Sequence, residues 1–401
     1  MASFHKYQTK KGTRWMFKIY LGVDKNSGKR KRVTKRGFAT KEEAKKEARK
    51  LVKAKDEGVN FFYNTITFDE FSGKWLELYK DERGVKPGTI RIRQHEINNL
   101  NKYLKGLRMI DITWQIYQNV LYKLHAHFSQ NTLDGIHRTG RMIFKKAMQH
   151  DIILKDPTEY AYLPKRNSTV EELENERILP RYMEKEDLAR FLEAVMEEGL
   201  AMDFAIFLTL AYTGLRVGEL CALKESDLRI SEEKLLSITK TYYNPKNNIK
   251  EYQLVPPKTK GSKRLIDIDP VVYDALGEII QENKQIQQEA EKDYHDMKFI
   301  FANRSTYPGY PLYPKIIQQR MTRLLKIAEM DTSLTPHSFR HTHASLLAEA
   351  GVSLERIMER LGHTDDKVTK SVYLHTTQAV RKRDSEKFGN LMKGVIKRPG
   401  K

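Results

Sequence analysis

Between residues 15 and 21 apolar and polar positions alternate, with Trp15, Phe17, Ile19 and Leu21 on one side and Met16, Lys18 and Tyr20 on the other. A period of two is that of a strand with one buried face. Asp24-Lys25-Asn26-Ser27-Gly28 supplies turn chemistry, and the very basic stretch from Lys29 to Phe38 predicts a returning strand. Thr40 with Glu43 three residues later forms a capping box, and Ala44, Ala48, Leu51 and Val52 mark the inner face of a helix. The first segment is therefore expected to be a small three-stranded sheet backed by one helix. Arg14, Lys18 and Arg32 would stand on the open face of that sheet, where strands can enter a nucleic-acid groove.

From Ile66 to about Leu163 the period becomes helical. Thr67 and Glu70 repeat the capping box, Phe71, Trp75, Leu78 and Tyr79 form a stripe, and Pro87 can open the next helix, whose stripe is Ile90, Ile97, Leu100 and Leu104. Amphipathic stretches over Thr113 to His127 and Asn131 to His150 complete a bundle of about four helices. Arg138, Arg141, Lys145 and Lys146 fall mostly on one side of the last long helix, suited either to phosphates or to plain solvation. Residues 164–180 mix Pro, Asn, Ser and Glu and read as a linker. A larger unit follows, with helices at Glu184 to Glu198 and Asp203 to Tyr212, a basic strand region near Leu235 to Ile268, and helices again from Pro270. The fold class is multidomain α+β.

Length and charge narrow the function. At 401 residues, two or three domains are expected. The net charge is +20, and residues 1–60 hold 19 basic and 6 acidic side chains, so 13 of the 20 surplus charges lie in that first segment. Such density favours a polyanion, because each neutralised phosphate releases condensed counterions. Nucleic acid leads and an anionic membrane surface trails. Cys221 is the only cysteine, which excludes an internal disulfide and a thiolate zinc cluster within one chain, and its expected place is the core. No stretch has the apolar core of a signal peptide or the ~18 apolar residues of a membrane span, so a cytoplasmic protein with no membrane partner is expected.

Four short segments of the last unit carry chemistry. In Tyr212-Thr213-Gly214-Leu215-Arg216-Val217-Gly218-Glu219-Leu220, an apolar helix runs into a glycine and then presents Arg216, which Glu219 can orient toward a phosphate. By itself this is more often a surface salt bridge. Pro257-Lys258-Thr259-Lys260-Gly261-Ser262-Lys263-Arg264 reads as a hairpin that thrusts an ammonium outward, and such a lysine can protonate a departing alkoxide. Thr335-Pro336-His337-Ser338-Phe339-Arg340-His341-Thr342-His343 starts a helix with His337 and Arg340 on one face of its amino terminus, an end that attracts phosphate. His337 and His341 have zinc spacing, but Ser338 stands where a zinc hydrolase needs glutamate, so no metal is expected. Finally, Gly362 ends a helix carrying Ile357 and Leu361 and puts His363 at a corner, with Tyr373 ten residues on.

Taken together, in the order Arg, Lys, His-x-x-Arg, His and Tyr, these segments resemble the active site of tyrosine recombinases of the phage integrase family. The match covers residues 181–385 and departs only at Phe339, where leucine is commoner, and in a doubled lysine. The resemblance implies an arm-type DNA-binding domain at residues 1–62, a SAM-like core-binding bundle at 63–165, a linker at 166–180, a mainly helical catalytic domain with a small sheet at 181–385 and a tail at 386–401. It implies Tyr373 as nucleophile, Arg216, His337, Arg340 and His363 around the phosphate, Glu219 in support, and Lys258 as general acid, with Lys260 the alternative. It further implies no cofactor, core and arm attachment sites on duplex DNA, a homotetramer on that DNA, an excision factor and a host DNA-bending protein as further partners, and a place at the bacterial nucleoid. The source would be a phage, a pathogenicity island or an integrative conjugative element. The rival activities are a type IB topoisomerase, against which the basic amino-terminal sheet argues, and a DNA-binding regulator without catalysis.

Overall fold

The structure, a computed structural model, describes residues 2–9, 12–23, 30–56, 66–165, 182–229, 233–246, 248–257, 260–362, 385–388 and 390. The chain divides near residue 175 into two compact units.

The first unit begins with an antiparallel sheet in the order β1 (Ala2–Thr9), β2 (Gly12–Val23), β3 (Arg30–Phe38), followed by α1 (Lys41–Asp56). Phe17 and Ile19 are buried as the alternation requires, and they pack with Ala44 and Ala48 of α1. The predicted turn at Asp24 to Gly28 lies outside the described residues. At the start of α1, Thr40 accepts from the Glu43 N–H at 3.2 Å, while the Glu43 carboxylate accepts from the Ala39 N–H at 2.9 Å, one residue earlier than an ideal capping box. Four helices follow: α2 (Phe68–Arg83), α3 (Pro87–Leu104), α4 (Trp114–His125) and α5 (Gln130–Gln149). The Thr67 N–H donates to Glu70 at 3.0 Å, and Pro87 opens α3. Phe71, Trp75, Ile97, Leu100 and Leu104 share one core with Tyr117, Leu121, Ile136 and Phe144. Where α3 meets α5, the buried Glu96 carboxylate accepts from Arg93 at 2.7 Å and from the Thr139 hydroxyl at 2.6 Å.

The second unit is organised around α7 (Asp203–Thr213), which is apolar on every side and has Ala205, Ile206, Phe207, Leu208, Leu210 and Ala211 buried. α6 (Lys185–Glu198), α9 (Pro270–Ala290), α10 (Pro314–Ile327) and α11 (Pro336–Glu349) surround it, and α8 (Val217–Leu220) and α12 (Leu354–Leu361) are short. Phe339 is fully buried, edge-on to Phe191 at 5.5 Å between centroids and stacked on Phe207 at 5.8 Å. Such contacts add about 0.5–1.5 kcal/mol each beyond burial, so phenylalanine fits this position well. Cys221 is buried as well, and burial pushes its thiol up. The basic strand region forms two separate sheets. β4 (Leu228–Arg229), β5 (Leu235–Ile238) and β8 (Arg264–Asp267) make one, and β6 (Thr241–Tyr243) and β7 (Gln253–Val255) make the other.

Candidate active site

α7 stops at Gly214, whose φ of 61° is left-handed. A side chain there would also fail for space, since a Cβ would lie 2.6 Å from Leu361 Cδ2 and 2.9 Å from His343 Cδ2. This close approach brings the chain leading to Arg216 against α11 and α12. Arg216 is then the cap of α8, its N–H donating to Glu219 Oε2 at 3.1 Å and its Nη1 to Glu219 Oε1 at 2.9 Å. Glu219 is only 2% exposed and holds a second arginine, as Arg264 Nη2 donates to Oε2 at 3.0 Å. The pairing of Arg216 with Glu219 seen in the sequence is therefore half of a triad centred on a buried carboxylate. Burial alone would raise the Glu219 carboxyl, but the hydrogen bond and charge of Arg264, with those of Arg216, outweigh it and hold the carboxyl below its usual range.

Arg340 lies 1% exposed on α11, its Nη1 donating to the Gly214 carbonyl at 2.8 Å and its Nη2 to the Leu361 carbonyl. It thereby links the ends of α7 and α12. Burial and the nearby charges of Arg216 and Arg264 push its guanidinium down to about 9, so it stays charged at neutral pH. At the start of the same helix, the Thr335 N–H donates to the Ser338 hydroxyl at 3.1 Å, so Ser338 completes the cap. His337 is exposed where Arg340 is buried, so the two rest at different depths, and His337 and His341 meet edge to face at 4.8 Å between ring centroids. Partial desolvation, then the charges of His341, Arg340 and Arg216, push His337 down to about 4 and leave it a neutral proton acceptor at pH 7. Among the described residues no third histidine, cysteine or carboxylate joins this pair, and a cation there would face the charges of Arg216 and Arg340.

α12 ends at Gly362, again left-handed at φ 66°. A Cβ there would lie 2.9 Å from the Gly261 carbonyl oxygen and 2.9 Å from Ser262 Cα, and the Ser262 hydroxyl donates to the Gly362 carbonyl at 3.3 Å. The segment from Pro257 to Arg264 is not the expected hairpin, because β7 pairs with β6 and β8 with β5 in a different sheet, so it is a loop between two sheets. Its Gly261–Ser262 part rests on the residue that precedes His363. Lys258, His363 and Tyr373 lie outside the described residues, as does the side chain of Lys260, whose backbone begins a short turn at Lys260–Ser262. Sequence reading missed Arg264 and Arg360. Arg264 shares a strand face with the buried Ile266, and an arginine at an apolar-facing position was the signal available.

In the first unit, cross-strand pairing puts Lys18 opposite Ser3 and Thr34, Tyr20 opposite Arg32, and Arg14 opposite Tyr7. Directly opposed residues share a face. Lys18 and Arg32 are exposed and Arg14 is half-buried, on the side away from Phe17 and Ile19. On α5, Arg138 pairs with Asp134 at 2.6 Å and Lys146 with Glu82 at 2.8 Å, whereas Arg141 and Lys145 are exposed.

The second unit gathers arginines around one buried carboxylate and the first carries a basic sheet, a combination suited to a polyanion such as DNA. Residues 181–379 match the phage integrase family, residues 4–55 an arm DNA-binding domain, and residues 67–125 the phage integrase N-terminal SAM-like domain. The integrase of Staphylococcus phage L54a is 30% identical over 341 residues, covering 82% of this chain and 94% of that one. The ICEBs1 integrase of Bacillus subtilis is 25% identical over 273 residues, covering 67% and 68%. In fold, the chain is similar to the Tn1549 transposon integrase in complex with a circular-intermediate DNA, with a TM-score of 0.62, 20% identity and coverage of 80% and 99%. It is also similar to a lambda integrase dimer bound to a core site, with a TM-score of 0.54, 16% identity and coverage of 92% and 94%. The chain belongs to the phage integrase family. Its activity is site-specific recombination of mobile-element DNA.

Proposed function

We propose that Tyr373 attacks a scissile phosphate held by Arg216 and Arg340, without a metal ion, and that the 3′-phosphotyrosine so formed conserves the bond for rejoining. The observation that carries this reading is the charge balance of the arginine cluster. Arg216, Arg264 and Arg340 gather around one buried carboxylate, that of Glu219, which leaves a surplus of positive charge for an anion. In the reaction the Tyr373 oxygen bonds to phosphorus as the bond to the 5′ oxygen breaks. His337, neutral at pH 7, accepts the phenolic proton, and Lys258 delivers a proton to the 5′ oxygen. The two arginines stabilise charge growing on the non-bridging oxygens, with a hydrogen bond from His363. Core-type DNA would lie along the bundle face that carries Arg138, Arg141 and Lys145, and arm-type DNA along the sheet face of Arg14, Lys18 and Arg32. Four protomers would exchange strands pairwise at the nucleoid, with an excision factor and a host DNA-bending protein setting direction.

Trapping on nicked attachment-core DNA in excess EDTA tests the reading. A covalent adduct should form at an undiminished rate, since arginine and lysine do the work a metal would do. Loss of the adduct under chelation, restored by magnesium or zinc, overturns metal independence. Cleavage with loose sequence preference would instead indicate a topoisomerase, and no adduct at all a regulator.

The doubled lysine has its own test. With a substrate whose 5′ leaving oxygen is replaced by sulfur, the departing thiolate needs no proton, so a lysine acting as general acid becomes dispensable. Lys258→Ala is expected to be inactive on the oxygen substrate and restored on the sulfur one. Restoration of Lys260→Ala instead would move the role by two residues.

A further inference from the structure

We propose that Arg360 and His343 form a positioning pair that fixes the His363-bearing end of α12 against the segments carrying Arg216 and Arg340, so that strand cleavage depends on the pair while DNA binding does not. The inference rests on the phosphotyrosine reading above and adds two residues to its machinery. His343 follows Arg340 by three residues on α11 and is 8% exposed. Its Nδ1–H donates to the Ala211 carbonyl at 2.9 Å, and its Nε2 accepts from Arg360 Nε at 3.1 Å. That division of roles, assigned from the partners, requires a neutral ring. Arg360 Nη2 reaches the carbonyls of Tyr212 at 3.3 Å and Asp267 at 2.9 Å. Its own carbonyl accepts from Arg264 Nε at 2.8 Å, and Arg264 is the second partner of Glu219.

The positions of these partners give the contact its meaning. Ala211 and Tyr212 close α7, a few residues before Arg216, while Asp267 ends β8, the strand that follows the lysine segment. Arg360 itself stands three residues before His363. One guanidinium therefore gathers three chain segments that each lead to a proposed catalytic side chain, and His343 ties it to the fourth. Packing does not call for this arrangement. Arg360 hydrogen-bonds to an imidazole and two carbonyls, and burial, with the charge of Arg264, pushes its guanidinium down against the opposing charge of Asp267. The inner stripe of α12, Ile357 and Leu361, would accept an apolar residue at lower desolvation cost. The groups facing His343 are Arg360 from α12, Arg340 on its own helix and the Ala211 carbonyl from α7; burial, Arg360 and Arg340 together push it down to about 4, so it remains an acceptor throughout the neutral range.

The test uses the full chain and nicked core DNA, with three readouts: the dissociation constant, the single-turnover rate of adduct formation at saturating protein, and the urea midpoint. Arg360→Met and His343→Leu should each bind DNA within about twofold of wild type and form adduct about tenfold more slowly or worse. The double variant should be no slower than either single one, because two residues acting as a unit are not additive. His343→Gln, whose amide offers both an acceptor and a donor, should recover most of the rate. Wild-type rates in the single variants, additive losses in the double, or a rate that falls only in step with the urea midpoint would each overturn the pair. If wild-type protein itself gives no adduct, the phosphotyrosine reading has failed instead, so the two failures are distinguishable.

Discussion

Replacing Tyr373 by phenylalanine is expected to abolish the covalent adduct while leaving affinity for core DNA within about twofold, because only the attacking oxygen is lost. Removing a nucleophile from an otherwise complete site lowers the rate by orders of magnitude, on the order of a thousandfold or more. The arginines would still hold the phosphate, since their placement is set by Glu219, by the Gly214 and Leu361 carbonyls and by the glycine contact that closes α7 on α12. The measurement is a denaturing gel of protein and end-labelled nicked core DNA, paired with a mobility shift on the same DNA. A strand cut by Tyr373→Phe at the wild-type rate would place the nucleophile on another residue. Loss of binding together with cleavage would show that the phenol helps to hold DNA.

Deleting residues 1–62 is expected to weaken assembly on complete attachment DNA by about a hundredfold or more while leaving cleavage of a short core intact. The segment carries 13 surplus positive charges and has its own small core of Phe17, Ile19, Ala44 and Ala48, so it can serve as a DNA module in its own right. Joining two DNA sites through one chain raises the local concentration of the second, and losing one module removes that gain. The isolated segment should bind DNA with steep salt dependence and prefer one repeat sequence, read by Arg14, Lys18 and Arg32. Footprinting decides the matter. If the truncated protein protects the same positions as the whole one, with no outlying repeats lost, the segment is only a basic extension of the bundle.

Much of the fold could be read in advance wherever a local rule decides structure. The alternation at Phe17 and Ile19, the Thr67 and Glu70 cap, Pro87 at the start of α3 and the Thr335-Pro336 start of α11 all depend on residues within one turn of each other. The split of the strand region into two sheets could not be read, because residues 241–255 mix tyrosine, lysine and asparagine without a period, and pairing is decided by partners distant in sequence. The same divide runs through the site. Arg216, His337 and Arg340 stand out as candidates only through the joint order of the four segments, whereas Arg264 and Arg360 gain their meaning from Glu219, His343 and the ends of α7 and β8.

The seat of Gly362 on Gly261 and Ser262 bears on how such enzymes can be recombined in the laboratory. At Gly261 and Ser262 the loop between β7 and β8 is pinned to the end of α12, so a longer or foreign loop fits best on its Pro257 side. A loop transplanted from a relative would have to travel with the matching helix end, as a two-part cassette. Chimeras that exchange one part alone would lose the fit of Gly362 against Gly261 and Ser262.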